Sequence, residues 1–240
     1  MGHGHAARGA GAPYCLLAST VVDSPVLLAS RRDADVFVLD EARVLRRYRD
    51  GGDTAPEAAM MAYVAAANYP VPVVYAADGP DLVLERLDGE TLLDALLVGR
   101  IDNDSAAELL VDLHDRLHNL PARLGAEPTD RVLHLDLHPR NVMVTSRGPV
   151  VIDWRNAAEG PADFDVAMTA LILAEVAVGQ DAHLARRARA GLTAFQRWAE
   201  PPRASQLRRA LGMRRVNPTL SAVEKAALDR AAALVQTRPG

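Results

Sequence analysis

Apolar positions along the chain change their spacing near residue 90, and the change predicts two regions of different secondary structure. In the first region, short β-branched runs alternate with turn residues. The pattern predicts a hairpin over residues 35–48, then a helix over 53–67 in which Pro56 suits the first turn. Strands are predicted at 70–75 and 81–85, separated by turn residues 78–80.

From residue 91 onward, apolar residues recur at helical spacing. Asp104 or Ser105 is expected to cap a helix that ends near residue 121. The buried face of this helix is an apolar stripe, made by Leu109, Leu110, Leu113 and Leu117. Further helices are predicted at 164–178, 183–198 and 221–235. The predicted fold class is α+β, with a strand-rich lobe, a mainly helical lobe and a cleft near residues 85–89.

The ends of these regions define the expected domain organisation. Residues 1–12 are rich in Gly, Ala and His and are predicted to be disordered. Residues 13–87 form the predicted N-terminal lobe and residues 88–240 the helical C-terminal lobe. The apolar patch 14–22 is interpreted as a strand and not as a signal peptide, because another apolar run follows after two residues.

Composition limits the compartment and the partners. The single cysteine, Cys15, excludes an internal disulfide and fits a reducing compartment, in which it acts as a small hydrophobe. No apolar run is long enough to span a bilayer. The formal net charge of −4 gives no indication of a nucleic-acid partner. We therefore expect a cytoplasmic protein without a membrane or nucleic-acid partner, either a monomer or a homodimer.

Charge is distributed unevenly along the chain. Residues 88–200 contain 18 acidic residues and 11 arginines, whereas residues 201–240 contain 2 acidic and 8 basic residues. The acidic middle segment could attract a cationic small molecule, or it could reflect solvated helix faces. Both interpretations stay open at the level of sequence.

The richest chemistry lies in residues 132–154, VLHLDLHPRNVMVTSRGPVVIDW. Asp136 is followed after five residues by Asn141 and after twelve more by Asp153. Pro139 favours a shaped loop around Asp136, and a hairpin at 142–152 would return Asp153 to the side of Asn141. Phosphoryl transfer needs such a set: one carboxylate that accepts the proton of the attacking hydroxyl, and oxygen ligands that hold Mg²⁺ on the phosphates.

The motif His134-x-Asp136-x-x-x-x-Asn141, followed by Ile-Asp153-Trp, resembles the aminoglycoside phosphotransferase and choline kinase family. These small-molecule kinases have a bilobal, protein-kinase-like fold. The resemblance implies that Asp136 is the catalytic base and that Asn141 and Asp153 are the Mg²⁺ ligands. His134 would be structural, and Asp165 resembles the later aspartate that ties down the backbone of the catalytic loop.

The resemblance extends into the first lobe. It places Arg46 where the family usually has a lysine, and Glu57 as the helix glutamate that partners this cation. Backbone groups of Glu85 and Leu87 would contact the purine at the hinge. Two departures stand out: the lobe contains no lysine, and the loop at residues 30–34, SRRDA, contains no glycine. Arginine is a wider, planar donor than lysine, so the phosphates would be bound in a different pose.

The resemblance implies a Mg²⁺-dependent kinase that transfers the γ-phosphate of ATP, or alternatively GTP, to a small-molecule hydroxyl. An aminoglycoside, an amino alcohol or a sugar would be the acceptor. A second hypothesis is a catalytically weak or inactive kinase-fold protein that binds a nucleotide or metabolite. A third is a metal-dependent hydrolase with zinc-like ligands His134, Asp136 and His138.

Overall fold

A computed structural model describes residues 26–125 and 127–237. The predicted tail at 1–12, the predicted strand at 14–22 and Cys15 lie outside these residues. The described chain forms a small antiparallel sheet lobe with one helix and a mainly helical lobe, which confirms the predicted α+β bilobal class. The boundary at residue 87 stays a prediction. None of the described helices has the length and apolar character needed to cross a membrane.

The first lobe is a five-stranded sheet with the order β1-β2-β3-β5-β4 and every neighbouring pair antiparallel. Its strands are β1 Val26–Ser30, β2 Ala34–Val38, β3 Arg43–Tyr48, β4 Val74–Asp78 and β5 Asp81–Glu85. The hairpin β2–β3 and the helix α1, Ala55–Ala66, are as predicted. The strand expected from residue 70 begins only at Val74, because prolines at 70 and 72 lack the N–H that a strand needs.

The second lobe contains six helices among the described residues. They are α2 Leu92–Leu97, α3 Asn103–His118, α4 Ala162–Ala177, α5 Ala182–Trp198, α6 Ala204–Val216 and α7 Ala222–Gln236. The predicted helices agree with α4, α5 and α7 to within two residues at each end. Helix α6 was missed because arginines interrupt its pattern, and only Leu207 and Ala210 are buried along it.

Five short strands support the loops of this lobe. They are β6 Glu90–Thr91, β7 Arg131–Leu133, β8 Val142–Thr145, β9 Gly148–Val151 and β10 Ala158–Gly160. The hairpin β8–β9 is as predicted, with β6 on its outer edge, and β7 pairs with β10. The hairpin also contacts the first lobe, since the N–H of Val151 donates to the carbonyl of Pro70 over 2.8 Å.

A continuous core joins the two lobes. Met61 and Val64 of α1 belong to the same buried cluster as Leu113 of α3 and Leu171 of α4. At the boundary, the fully buried ring of Trp154 lies at the end of the β9 segment. The ring packs edge-on against Tyr69 of the first lobe and His134 of the second, so the segment that carries Asp153 is fixed between the lobes.

The cap of α3 differs from the prediction. Asp102, and neither Asp104 nor Ser105, is the N-cap residue, and its side chain accepts the N–H of Ser105 over 2.8 Å. Leu110, Leu113 and Leu117 are buried as predicted, while Leu109 is half-buried. The apolar spacing therefore predicted the helix face correctly but not its first residue.

We expect Asp102→Ala to lower the free energy of unfolding by about 1 kcal/mol, because the substitution removes an N-cap hydrogen bond. Asp104→Ala, which removes only an exposed pair with Arg197, is the matched control and should change it by less than about 0.5 kcal/mol. Urea unfolding followed by circular dichroism measures both. A larger loss for Asp104→Ala would contradict this cap assignment.

Candidate active site

The loop between β7 and β8 is held by one buried carboxylate. Asp165, in the first turn of α4, accepts the N–H groups of His134 over 2.9 Å and Leu135 over 2.7 Å. Leu135 has a left-handed backbone with φ 59°, a conformation that costs energy in a residue with a branched side chain. The two hydrogen bonds from Asp165 stabilise this conformation, so Asp165 ties down the loop as the resemblance implied.

The histidines of α3 stabilise the ionised form of Asp165. Nε2 of His118 lies 3.1 Å from Asp165 Oδ2, and Nδ1 of His114 lies 3.6 Å from the same oxygen. Complete burial acts to raise the pKa of Asp165, but the contacts with these histidines outweigh it and hold the pKa well below its usual value. The loop is therefore anchored to a carboxylate that stays charged.

His134 joins the loop to the strand that leads to Asp153. Its Nδ1 accepts the N–H of Asp136 over 3.2 Å, and its Nε2 donates to the carbonyl of Ile152 over 3.1 Å. The ring is completely buried, and burial lowers its pKa, so it is neutral. Both nitrogens are occupied by these hydrogen bonds, which fits the structural role implied for His134.

The positions of the histidine side chains test the metal-hydrolase hypothesis. Within residues 26–125 and 127–237, the only group of three potential metal ligands close enough to share an ion is His114, His118 and Asp165. His134 and His138 belong to no such group. The described side chains therefore do not provide the zinc-like ligand set that the hydrolase hypothesis requires.

Asp136 and Asn141 are brought into direct contact. Nδ2 of Asn141 donates to both the backbone carbonyl and Oδ2 of Asp136, each over 3.0 Å. Nε2 of His138 lies 3.5 Å from Asp136 Oδ1. Burial acts to raise the pKa of Asp136, but the side-chain contact with His138 outweighs it, and the pKa is lowered. Asp136 is thus ionised, as a general base must be.

Asp153 lies next to this pair. The N–H of Ile152 donates to the carbonyl of Asn141 over 2.9 Å, which aligns the two segments. Asp153 itself has a left-handed backbone with φ 67°, and its Oδ1 accepts a hydrogen bond from Arg46 Nη2. Burial raises its pKa against the effect of Arg46, and the negative charges of Asp33 and Asp136 raise it further. A cation at this position would relieve the repulsion among these carboxylates.

Arg46 has the helix partner predicted for it. The guanidinium is buried, and its Nη1 donates to Glu57 Oε1 over 2.5 Å while its Nη2 reaches Asp153. The charges of Asp153 and Glu57 raise the pKa of Arg46 despite its burial. Glu57 also accepts the N–H of Trp154 over 2.9 Å and the hydroxyl of Tyr48. One arginine therefore connects β3, α1 and the Asp153 segment.

Asn141 and Asp153 each keep one side-chain oxygen of the type that binds magnesium. Asn141 Oδ1 and Asp153 Oδ2 accept no hydrogen bond from any residue that the structure describes, because the opposite atoms of both side chains make the contacts. Amide and carboxylate oxygens are the ligands that Mg²⁺ prefers. The two residues predicted as metal ligands are thus arranged with one available oxygen each.

The two hinge residues do not contact this cluster. Glu85 ends β5, where its N–H donates to the carbonyl of Val73 over 2.9 Å and its carboxylate pairs with Arg147. Leu87 follows in the connector between the lobes and is half-buried. The N–H of Leu87 has no hydrogen-bond partner among the described residues. This N–H could therefore donate to a purine.

Several charged residues near the site were not predicted. Arg155 directly follows Trp154, and its Nη1 lies 3.3 Å from Asp33 Oδ2. Its position directly after the Ile-Asp-Trp segment was the sequence feature from which Arg155 could have been predicted as a site residue. Arg214 of α6 pairs with Glu175 over 2.6 Å, and its positive charge contributes to lowering the pKa of Asp136. The weak apolar pattern of α6 concealed Arg214.

Comparison with known proteins places this site in a family. The family model described as "Phosphotransferase enzyme family" (APH) matches residues 26–130 and 115–207. These matches span more than half of the chain and include all the site residues predicted from the sequence, while Arg214 lies beyond them. The chain therefore belongs to the phosphotransferase enzyme family. A search of curated proteins finds no match.

Solved structures show the same fold at low sequence identity. A thermostable mutant of aminoglycoside phosphotransferase APH(4)-Ia, in a ternary complex with AMP-PNP and hygromycin B, has a TM-score of 0.59 and 15% identity, covering 90% of this chain and 94% of that one. The gentamicin complex of APH(2")-IIa has a TM-score of 0.55 and 15% identity, covering 90% and 92%. A choline/ethanolamine kinase family protein from Mesorhizobium loti has a TM-score of 0.55 and 13% identity, covering 91% and 90%.

We expect Asp165→Asn to lower the free energy of unfolding by about 3 kcal/mol, because it weakens charge-assisted hydrogen bonds to the backbone of the loop and to His118. Asp163→Asn, two residues earlier on α4, affects only a partly exposed pair with Arg203 and should cost less than about 1 kcal/mol. Chemical denaturation of both variants is the measurement. Equal losses would show that Asp165 does not anchor the loop.

Proposed function

We propose that this protein transfers the γ-phosphate of ATP to a hydroxyl group of a small molecule. The observation that carries the proposal is the contact of Asp136 with Asn141 beside Asp153, with Arg46 and Glu57 behind them. A base, two oxygen ligands and a paired cation form the set that phosphoryl transfer requires. GTP stays the alternative donor, since the proposed purine contacts are peptide groups, and no side chain is proposed to distinguish the two bases.

In the proposed reaction, Asp136 accepts the proton of the acceptor hydroxyl. The hydroxyl oxygen forms a bond to the γ-phosphorus, and the bond from this phosphorus to the β–γ bridging oxygen breaks, so that ADP leaves. The lowered pKa of Asp136 keeps it ready to accept the proton at neutral pH. Asn141 orients Asp136 through its amide N–H groups.

Asn141 and Asp153 are the proposed Mg²⁺ ligands, through the oxygens that carry no hydrogen bond from a described residue. When bound, the ion would neutralise negative charge on the phosphates. Arg46, held by Glu57, contributes a fixed positive charge next to Asp153. The peptide groups of Glu85 and Leu87 at the connector are the proposed contacts for the purine.

The acceptor is proposed only as a class. Gentamicin and hygromycin B, which two of the similar structures contain, make a cationic amino sugar one candidate. Near Asp136, however, the described residues include the positive Arg214 as well as carboxylates. Amino alcohols and sugars therefore stay candidates together with aminoglycosides, in a cytoplasmic reaction.

We expect Asp136→Asn to reduce kcat by about 10²–10⁴-fold, because the general base is lost, and to retain nucleotide binding. A coupled ADP-release assay with a panel of aminoglycosides, amino alcohols and sugars measures turnover, and calorimetry measures binding. Asp112→Asn, an exposed carboxyl on α3, is the control and should behave like the unaltered protein. If the unaltered protein binds nucleotide but turns over no acceptor of the panel, the inactive kinase-fold alternative is favoured.

Restoring the lysine usual in the family should not improve this site. Arg46 contacts Glu57 and Asp153 through two different nitrogens, and a single ammonium group cannot reproduce that geometry. We expect Arg46→Lys to lower the free energy of unfolding by about 1–2 kcal/mol and to raise the KM for ATP. Arg47→Lys, at an exposed position on the same strand, is the matched control. An unchanged stability and KM in Arg46→Lys would contradict the bridging role.

A further inference from the structure

One carboxylate oxygen near the site lies between two arginines. Oδ2 of Asp33 is 3.3 Å from Nη1 of Arg155 and 3.5 Å from Nη2 of Arg46. Asp33 belongs to the turn between β1 and β2, Arg46 to β3, and Arg155 to the segment after Asp153. Two guanidinium groups that face a single oxygen are the arrangement that binds a phosphate oxygen.

The two arginines are held in place by contacts other than Asp33. The guanidinium of Arg155 stacks on the ring of Tyr48, 4.0 Å from its centroid, and its Nη2 pairs with Asp50 over 2.5 Å. Arg46 is fixed by Glu57 and Asp153, as described above. The positions of the two cations would therefore persist if the Asp33 side chain moved away.

Asp33 is bound less firmly than the arginines. Its distances of 3.3 and 3.5 Å are longer than the roughly 2.7–2.9 Å of strong charge-assisted hydrogen bonds, and its side chain is 25% exposed. Its backbone carbonyl accepts the N–H of Arg49 over 3.0 Å, which fixes the turn. The carboxylate can thus leave by side-chain rotation while the backbone stays in place.

We propose that Arg46 and Arg155 together bind the phosphates of the nucleotide, and that the Asp33 carboxylate occupies this anion site until the phosphates displace it. The inference rests on the proposed function, because it concerns the donor side of that site. It also accounts for the turn at 30–34, which lacks the glycines that would bring backbone N–H groups to the phosphates. Arg155 supplies donors that this turn does not.

The proposal predicts opposite effects for the two partners of one ion pair. Asp33→Asn should tighten ATP and ADP binding by about three- to tenfold, since it removes a competing negative charge that is partly screened. Arg155→Gln should weaken binding by about tenfold, since it removes a charged phosphate contact. Calorimetry gives Kd, and steady-state kinetics should show the change in the KM for ATP with a smaller change in kcat.

The exposed pair Arg47–Asp81 on β3 and β5 provides matched controls. Arg47→Gln and Asp81→Asn make the same changes of side chain at an exposed ion pair of the sheet and should leave Kd unchanged. A purely structural role for the Asp33–Arg155 pair would make both of its variants bind nucleotide more weakly. Unchanged or weaker binding in Asp33→Asn therefore overturns the proposal.

Inorganic tripolyphosphate tests the anion site without turnover. The increase in Tm that it causes should be largest for Asp33→Asn, intermediate for the unaltered protein and smallest for Arg155→Gln. If an unliganded variant has lost its cooperative transition, Asp33→Ala replaces Asp33→Asn and Arg155→Lys replaces Arg155→Gln. Turnover in the unaltered protein with no effect of the Asp33 substitution would refute this inference alone, whereas absence of nucleotide binding and turnover would refute the proposed function.

Discussion

The guanidinium of Arg46 is the contact on which the geometry of the site depends. It joins Glu57 of α1 to Asp153, two residues after β9, so one side chain connects the sheet lobe to the segment of the proposed metal ligand. Removing a buried charge from its partners is costly, because each partner would be left unpaired in a medium of low polarity. The network therefore fixes how the two lobes meet, and Trp154, whose N–H also binds Glu57, adds apolar packing at the same point.

On the other side of the site, the loop between β7 and β8 is fixed by a second buried carboxylate. Asp165 stabilises the left-handed backbone of Leu135, which precedes Asp136, and His134 connects the same loop to Ile152. Leu135 and Ile152 directly precede Asp136 and Asp153. Both are thus held in place by these hydrogen bonds. Such a rigid arrangement suits phosphoryl transfer, in which positioning and electrostatics contribute most of the rate enhancement.

The sequence predicted the parts of this arrangement that depend on local spacing. Asp136 and Asn141 lie in one short loop and a hairpin follows, so their contact and the proximity of Asp153 could be expected from residue order. The pairing of Arg46 with Glu57 followed from the family resemblance. The cap of α3 and the start of β4 were misplaced because such ends depend on which backbone N–H groups have a partner, as with the Asp102 side chain, and on prolines that lack an N–H.

Contacts between distant segments could not be predicted in the same way. Asp33 and Arg155 are 122 positions apart, and Arg214 lies on α6, whose arginines obscure the helical period. Their meeting depends on how the β1–β2 turn and α6 pack against the loops, which no local pattern specifies. The composition nevertheless contained a relevant signal, because a first lobe rich in arginine and without lysine implies planar donors that can each contact two anions.

The choice of arginine and the absence of glycine in the 30–34 turn have a common physical consequence. A lysine paired with Glu57 would leave Asp153 without a cation on this side, whereas Arg46 contacts both and also approaches Asp33. Without backbone N–H groups from a glycine-rich turn, the donors for an anion come from guanidinium groups, and Arg155 is the second one within reach. Side-chain donors of this kind are always charged, so in the absence of phosphate they attract the carboxylate of the turn itself. The proposed binding of phosphate by arginines and the competing carboxylate of Asp33 therefore have the same physical origin, a pair of guanidinium groups next to a turn without glycine.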